Sequence, residues 1–207
     1  MQPSDFTFDL DNVTNERLML GAGRFGEVFA GHLMNGEPVA IKCVQVPFAG
    51  APLQLASEES LAEEARILKH CRSAYVVSFV GMAVDSGAGE LYLLTQRMAG
   101  GNLFSIIRRQ RITWNDGGWE IALNIAQGLV YLASKRIVHN DLKSSNVLLD
   151  GEGRAKISDV GLAKMLTPEE CPEEIADLLD HCWERHPEER PTAAQVVSII
   201  SSIHGGH

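Results

Sequence analysis

The chain reads as an α+β protein of two lobes: a small antiparallel sheet carrying one helix, then a shortened, mainly helical lobe. Three observations predict this. Up to Gln96, short apolar runs alternate with polar residues and are separated by Gly- and Asn-containing turns, the pattern of strands and hairpins. One stretch in that half, Ser57 to Arg72, has its apolar residues at helical spacing. Beyond Gly101 the strongest apolar stripes are helical, interrupted by a polar loop held between two apolar anchors, Ile137-Val138 and Val147-Leu148-Leu149. The expected boundaries are an extension over 1–16, a small lobe over 17–98, a shortened large lobe over 99–203 and a tail over 204–207.

Composition narrows the class. A chain of 207 residues can form one domain or two small lobes sharing an interface. A net charge of −9 argues against nucleic acid, whose affinity is built from cationic contacts to phosphate, and against an anionic membrane surface. Cys43, Cys71, Cys171 and Cys182 are scattered with no CxxC pair, as expected of reduced thiols in a cytoplasmic protein. Met1 to Asn12 is acidic and has no apolar core, so no signal peptide is expected, and no run approaches membrane-spanning length. His204-Gly205-Gly206-His207 reads as a polar tail expected to fray.

The elements follow in order. Arg17 to Leu20 is a short strand leading into Gly21-Ala22-Gly23-Arg24-Phe25-Gly26-Glu27-Val28, a G-x-G-x-x-G-x-V pattern. Such glycines let backbone amides approach a phosphate. In dinucleotide-binding folds a helix follows them. Here Glu27 to Leu33 alternates as a strand, so the glycines cap a hairpin, and Asn35-Gly36 supplies the next turn. Pro38 to Val44 is a third strand, with Lys42 inside its apolar run, where a buried ammonium needs a partner. Glu64 shares the inward face of the next helix with Leu61, Ala65 and Leu68 and is the carboxylate to pair with it. Glu63 points further round and reads as solvated.

Tyr75 to Val84 and Glu90 to Gln96 are two further strands around Asp85-Ser86-Gly87-Ala88-Gly89. Gln96 to Gly101 is a connector, and Asn102 caps the helix Leu103 to Arg109. Trp119 to Ala133 is a helix with Ile121, Ile125, Leu129 and Leu132 on one stripe. Ala155-Lys156-Ile157 is a short strand that delivers Asp159 to a glycine turn, and Asp177 to Arg185 and Thr192 to Ile203 are closing helices. Between the two apolar anchors lie Asp141, Lys143 and Asn146: an acid, a cation and an amide oxygen suited to a hard metal. That set suits phosphoryl transfer, where positioning and electrostatics carry most of the catalysis. The plainer alternative is a polar turn between two strands.

Taken together, the glycine loop, Val39-Ala40-Ile41-Lys42, the helix glutamate, Asp141-Leu142-Lys143-Ser144-Ser145-Asn146 and Asp159-Val160-Gly161 arrive in the order of the eukaryotic protein kinase catalytic domain, which the chain resembles from about Leu18 to Ile203. The lysine two residues after Asp141 is similar to the serine/threonine form, and Cys182-Trp183 with Arg190-Pro191-Thr192 resembles the closing helices of tyrosine-kinase-like serine/threonine kinases. The resemblance implies ATP and Mg²⁺ as cofactors. Gly21, Ala22, Gly23 and Gly26 would cover the phosphates, and Lys42, held by Glu64, would contact two of them. Asn146 and Asp159 would hold the metal. Asp141 would take or orient the proton of a protein Ser or Thr hydroxyl, and Lys143 would neutralise the transferring group. Val28, Ala40 and Leu148 would sandwich the adenine, Gln96 to Met98 would bond its edge, and Thr95 would guard the pocket behind.

Three departures from the family pattern matter. Asn140 stands where most members carry an arginine that pairs with a phosphate on the activation loop. Asn cannot make that charge-assisted pair, so control by loop phosphorylation is not expected. Val160 replaces a phenylalanine and would pack less fully against Leu68 and His139. After Gly161-Leu162-Ala163-Lys164 the chain runs through Met165 to Glu174 almost directly into the closing helices. Most of the activation segment, the Ala-Pro-Glu motif with the glutamate that Arg190 would pair with, and a central helix are missing. This loss is expected to expose apolar surface from the helix of Ile121, Ile125 and Leu129, which a partner could cover. The favoured reading is an ATP-dependent protein serine/threonine kinase; the alternatives are an ATP-binding pseudokinase or scaffold, and an inactive truncated product.

Overall fold

The computed structural model describes residues 12–23, 26–45, 52–85, 89–109 and 112–167, and further on 177–178, 181–182, 186–192 and 195–199. The extension up to Asp11, Arg24-Phe25 at the glycine-loop tip, Cys171, Trp183 and the tail lie outside them. Of the closing helices, 177–178, 181–182, Thr192 and 195–199 are described, and all but Thr192 are helical.

The small lobe is a five-stranded antiparallel sheet with order β1-β2-β3-β5-β4, built from β1 (Val13–Gly23), β2 (Gly26–Leu33), β3 (Pro38–Gln45), β4 (Phe79–Asp85) and β5 (Glu90–Gln96). β1 is longer than the expected Arg17–Leu20, because Val13, Thr14 and Asn15 also pair with Leu33, His32 and Gly31. A register shift follows Asn15, where Arg17 takes φ 56° and donates its N–H to Asn15 Oδ1 at 2.8 Å. The glycines cap the β1–β2 hairpin, with Gly23 opposite Gly26. Gly26 has φ 122°, and a Cβ there would collide with the Cys43 carbonyl. α1 (Pro52–His70) carries Leu61, Ala65 and Leu68 inward.

Tyr75 to Val77, expected as the start of a strand in this sheet, is not part of it; β4 begins only at Phe79. Val76 instead forms a parallel bridge to Ile157 in the other lobe. Ile157 N–H donates to Tyr75 C=O at 2.8 Å and Val77 N–H to Ile157 C=O at 2.9 Å. Val76 and Val77 are buried as an apolar β segment should be, but their partner belongs to the large lobe.

The large lobe follows with β6 (Gly101–Asn102), α2 (Leu103–Arg109), a wide turn at Trp114–Gly118, α3 (Trp119–Ser134), β7 (Ile137–Val138), β8 (Val147–Leu149), β9 (Ala155–Ile157) and β10 (Lys164–Met165). Asn102 caps α2: its Oδ1 accepts the Ser105 N–H at 2.8 Å. The strands form two small antiparallel sheets, β6-β8-β9 and β10-β7.

One core runs through both lobes, joining Leu61, Leu68 and Leu93 to Leu132, Ile137, Ile157 and Val160. A second holds Leu103, Ile121, Val147, Leu149 and Ala155 beneath the polar loop, and a third, Val39, Ile41 and Leu94, lies on the outer face of the sheet. Val160 is fully buried, so the smaller residue leaves no opening to solvent. Gly128 lets α3 meet the bridging segment: a Cβ there would stand 2.9 Å from Tyr75 O and 2.8 Å from Ile157 Cδ1.

α3 exposes apolar surface as expected, but not from the stripe of Ile121, Ile125 and Leu129. Ile121 is buried and Ile125 and Leu129 pack against the cores. The exposed apolar groups are Trp119 and Leu123 on another side of α3, with Phe104 and Ile107 of α2 and Trp114 before α3. The stripe faces inward because β8, β9 and the polar loop need it as their floor. Cys71 is buried, Cys43 and Cys182 are half-buried, and all three are free thiols. Burial pushes the Cys43 thiol up to about 11, so it is protonated at neutral pH. No described helix is long and apolar enough to cross a membrane.

Candidate active site

Sheet register assembles one wall. Residues directly opposite on neighbouring strands share a face. Gly21 lies opposite Val28, Val28 opposite Lys42, Lys42 opposite Leu93, and Ala40 opposite Thr95. Alternation along β3 keeps Ala40 and Lys42 on the same side. Val28, Ala40, Lys42 and Thr95 are each half-buried on this face, while Val39, Ile41 and Leu94 are buried on the other.

Lys42 reaches two carboxylates. Its Nζ is 2.6 Å from Glu64 Oε2 and 3.0 Å from Asp159 Oδ1. Glu64 is only 3% exposed, on the inward face of α1 as its spacing predicts. Burial alone would lower the Lys42 pKa, but Glu64 and Asp159 outweigh it and raise it, so the ammonium is retained. Glu63 is not simply solvated: it forms an ion pair with Arg66 one turn on, which holds its carboxyl below the ordinary range.

The polar loop is knitted from within. His139 is buried and donates Nε2–H to the Ser158 carbonyl at 2.9 Å, which leaves Nδ1 to accept the Asp141 N–H at 3.3 Å. Asn146 is buried and donates Nδ2–H to the Asp141 carbonyl at 2.9 Å and to Asp141 Oδ2 at 3.1 Å. Lys143 Nζ sits 2.5 Å from the same Oδ2. The Lys143 hydrogen bond leads the causes that hold the Asp141 carboxyl below its ordinary range. Ser158 joins the next strand to this loop, donating both its N–H, at 2.9 Å, and its Oγ–H, at 3.0 Å, to the Asn146 carbonyl. Asp159 follows with φ 59°, a left-handed conformation that a non-glycine residue keeps only where its surroundings impose it.

Lys42, Glu64 and Asp159 thus form one bonded cluster and Asp141, Lys143 and Asn146 a second, joined through the Ser158 bonds to the Asn146 carbonyl, with Lys42 and Asp159 separated by 117 positions in the chain. Leu148 is the candidate for the opposite wall. It lies half-buried opposite Lys156, and Lys156 Nζ bonds Gln96 Oε1 in the connector at 2.8 Å. Gln96 N–H is already donated to Ser78 C=O at 2.9 Å, so what Gln96 can offer an adenine edge is its carbonyl. Met98 is buried beside it, and its carbonyl accepts Gly101 N–H at 3.2 Å.

Sequence reasoning missed two participants. Lys156 was legible only as the middle of an alternating triplet, Ala155 and Ile157 being buried on either side. Arg97 pairs with Glu16 of β1 at 2.9 Å, and Glu16 also meets His32 at 2.8 Å, tying the connector to the first hairpin. Nothing in the sequence spacing announces that cluster.

Among the described residues no group of three or more His, Cys, Asp or Glu could cage a metal. Asn146 and Asp159 could instead offer hard oxygens, which would suit Mg²⁺, an ion that takes one or two protein ligands and completes its shell with phosphates and water.

Comparison with known proteins agrees with this geometry. The family model described as "Protein kinase domain" matches residues 14–171, and that described as "Protein tyrosine and serine/threonine kinase" matches residues 163–200. The chain is 35% identical over 162 residues to the probable serine/threonine-protein kinase kinX of Dictyostelium discoideum, covering 76% of this chain and 14% of that protein. It is 40% identical over 157 residues to the probable serine/threonine-protein kinase PBL28 of Arabidopsis thaliana, covering 72% and 40%. It is 31% identical over 156 residues to the mitogen-activated protein kinase kinase kinase YODA of the same plant, covering 74% and 17%. The chain spans less than half the length of each.

Proposed function

Because this chain belongs to the protein kinase family, we propose that it transfers the γ-phosphoryl group of ATP to a Ser or Thr hydroxyl of a protein substrate, with Mg²⁺ as the metal. The observation that carries the proposal is the bond pair Lys42–Glu64 and Lys42–Asp159, which joins the nucleotide wall of the small lobe to the metal-ligand turn of the large one. Amides of the glycine hairpin and the Lys42 ammonium bind and orient the phosphates. Val28, Ala40 and Leu148 present apolar surface to the base. Asn146 and Asp159 would hold the metal, which supplies neutralisation of the phosphate oxygens when bound. The acceptor oxygen forms its bond to phosphorus as the bridging bond to the β-phosphate oxygen breaks, and the hydroxyl proton passes to Asp141 Oδ. Lys143, already on Asp141, offers its charge to the transferring group. With its depressed pKa, Asp141 is ionised at neutral pH and serves chiefly to orient the hydroxyl. The free thiols support a reducing compartment, so we place this activity in the cytoplasm.

A second reading is favoured by the short stretch between Gly161 and Cys182, which lacks the family's Ala-Pro-Glu motif: the chain would bind Mg-ATP as a scaffold and present no peptide. Incubation with γ-labelled ATP, Mg²⁺ and a generic basic acceptor separates the two. The kinase reading expects transfer that Asp141→Asn and Lys42→Met each abolish. Nucleotide binding without any transfer would leave the scaffold.

A further inference from the structure

We propose that Asn140 is a positioning residue that holds the metal-ligand turn in place through the Leu162 carbonyl, a task performed without a phosphate. The inference rests on the phosphotransfer reading above and names a residue that fixes its geometry. Asn140 has φ 61°, in the left-handed region that Asn tolerates better than most side chains. From there its Nδ2–H donates to Leu162 C=O at 3.0 Å. Its neighbour His139 donates to Ser158 C=O at 2.9 Å. Two successive side chains therefore grip the carbonyls at the two ends of the turn Ser158–Leu162, and inside that turn lies Asp159 with its own left-handed backbone.

Further bonds continue the grip downstream. Ala163 N–H closes on Val160 C=O at 2.9 Å, Lys164 and Met165 pair with Val138 and Ile137, and Leu166 N–H donates to Arg136 C=O at 2.8 Å. The polar loop and the turn are thus stitched together on both sides of Asp159 by neutral groups. A guanidinium waiting for an anion has no part in this arrangement. The amide at position 140 supplies the contact directly, so the orientation of Asp159 is set by the fold.

Two variants isolate the contact. Asn140→Gly keeps the backbone conformation free of strain and deletes the donor. Asn140→Asp keeps the shape and sets a carboxylate against the Leu162 carbonyl. The measurement is the affinity of the full chain for ATP with Mg²⁺ and, separately, with EDTA. Both variants should weaken the Mg²⁺-dependent affinity roughly three- to tenfold, the scale of one lost hydrogen bond. Affinity in EDTA, which reads the glycine hairpin and Lys42, should stay within about twofold, and phosphatase treatment of the wild type should change nothing. Equal losses with and without Mg²⁺, no loss in either variant, or a fall after phosphatase treatment would overturn the proposal. If the wild type gains nothing from Mg²⁺, it is the phosphotransfer reading that falls. Amide hydrogen exchange then decides the tether alone: faster exchange over residues 159–166 in Asn140→Gly supports it, and unchanged exchange defeats it.

Discussion

The two lobes are built on opposite plans. In the small lobe, five strands of seven to eleven residues pair edge to edge, and their register alone places Val28, Ala40, Lys42 and Thr95 on one face. In the large lobe, the loop that carries Asp141 and Asn146 and the turn that carries Asp159 hang on strands of two or three residues, far too short to be stable by themselves. What holds them is α3 beneath and the small lobe's Tyr75–Val77 segment alongside. The small lobe can be understood strand by strand; the catalytic half of the large lobe exists only through long-range packing.

That contrast can be broken most sharply in the cores. Leu132→Ala, in the core shared by both lobes, should cost about 2–5 kcal/mol and open the polar loop and α1 together. Leu94→Ala, in the outer core of the sheet, should cost a comparable amount while sparing the exchange protection of β8 and β9. Segment-resolved hydrogen exchange in mild denaturant reads the difference. Identical protection patterns in the two variants would mean that the lobes are not built differently.

Next in size is Lys143→Met, confined to the large lobe. Loss of a charge aimed at the transferring group should lower transfer roughly a hundredfold. The pH profile should shift as well. Lys143 depresses the Asp141 pKa, so in the wild type the acidic limb lies below the ordinary carboxylate range, and activity is lost only as pH falls through that lowered value. Without Lys143 the limb should move to higher pH; an unmoved limb would show that the pair does not control the acid.

Gly128→Ala tests the seam between the lobes. The added methyl meets a backbone oxygen and Ile157, so thermal and urea unfolding should show a loss of about 1–3 kcal/mol. A neutral result would show that the bridging segment can retreat without cost. The smallest effect is expected on the outer side of α3. Trp119→Gln with Leu123→Gln should alter stability by no more than about 0.5 kcal/mol. Soluble yield should rise, because these side chains are 44% and 47% exposed. A large loss of stability would show that something in the chain covers them.

Legibility in the sequence follows the same divide. The glycine hairpin, β3 and the Lys42–Glu64 pair could be read because strand alternation and helical spacing are local rules, and Glu64 obeyed them to the residue. Asp141, Asn146 and Asp159 could be located because the family pattern marks them, although no local rule brings Asp159 to Lys42. Tyr75–Val77 was misread because an apolar triplet says that it is buried but not which lobe buries it. Exposed apolar surface on α3 was foreseen, but not that Trp119 and Leu123 form it, because the spacing of Ile125 and Leu129 does not say what lies against their stripe. Asn140 was seen only as a missing charge. Its bond to Leu162 depends on two left-handed backbones that composition cannot reveal.

The bond from Leu166 to the Arg136 carbonyl, with the two-residue pairing beside it, works as a suture. Upstream of that stitch lie all the residues assigned to the proposed site, from Gly21 to Asp159. The turn of Asp159 is thus anchored on its downstream side before residue 167. If the proposed phosphotransfer holds, such an anchor would let the groups that handle the nucleotide keep their geometry whatever chain follows.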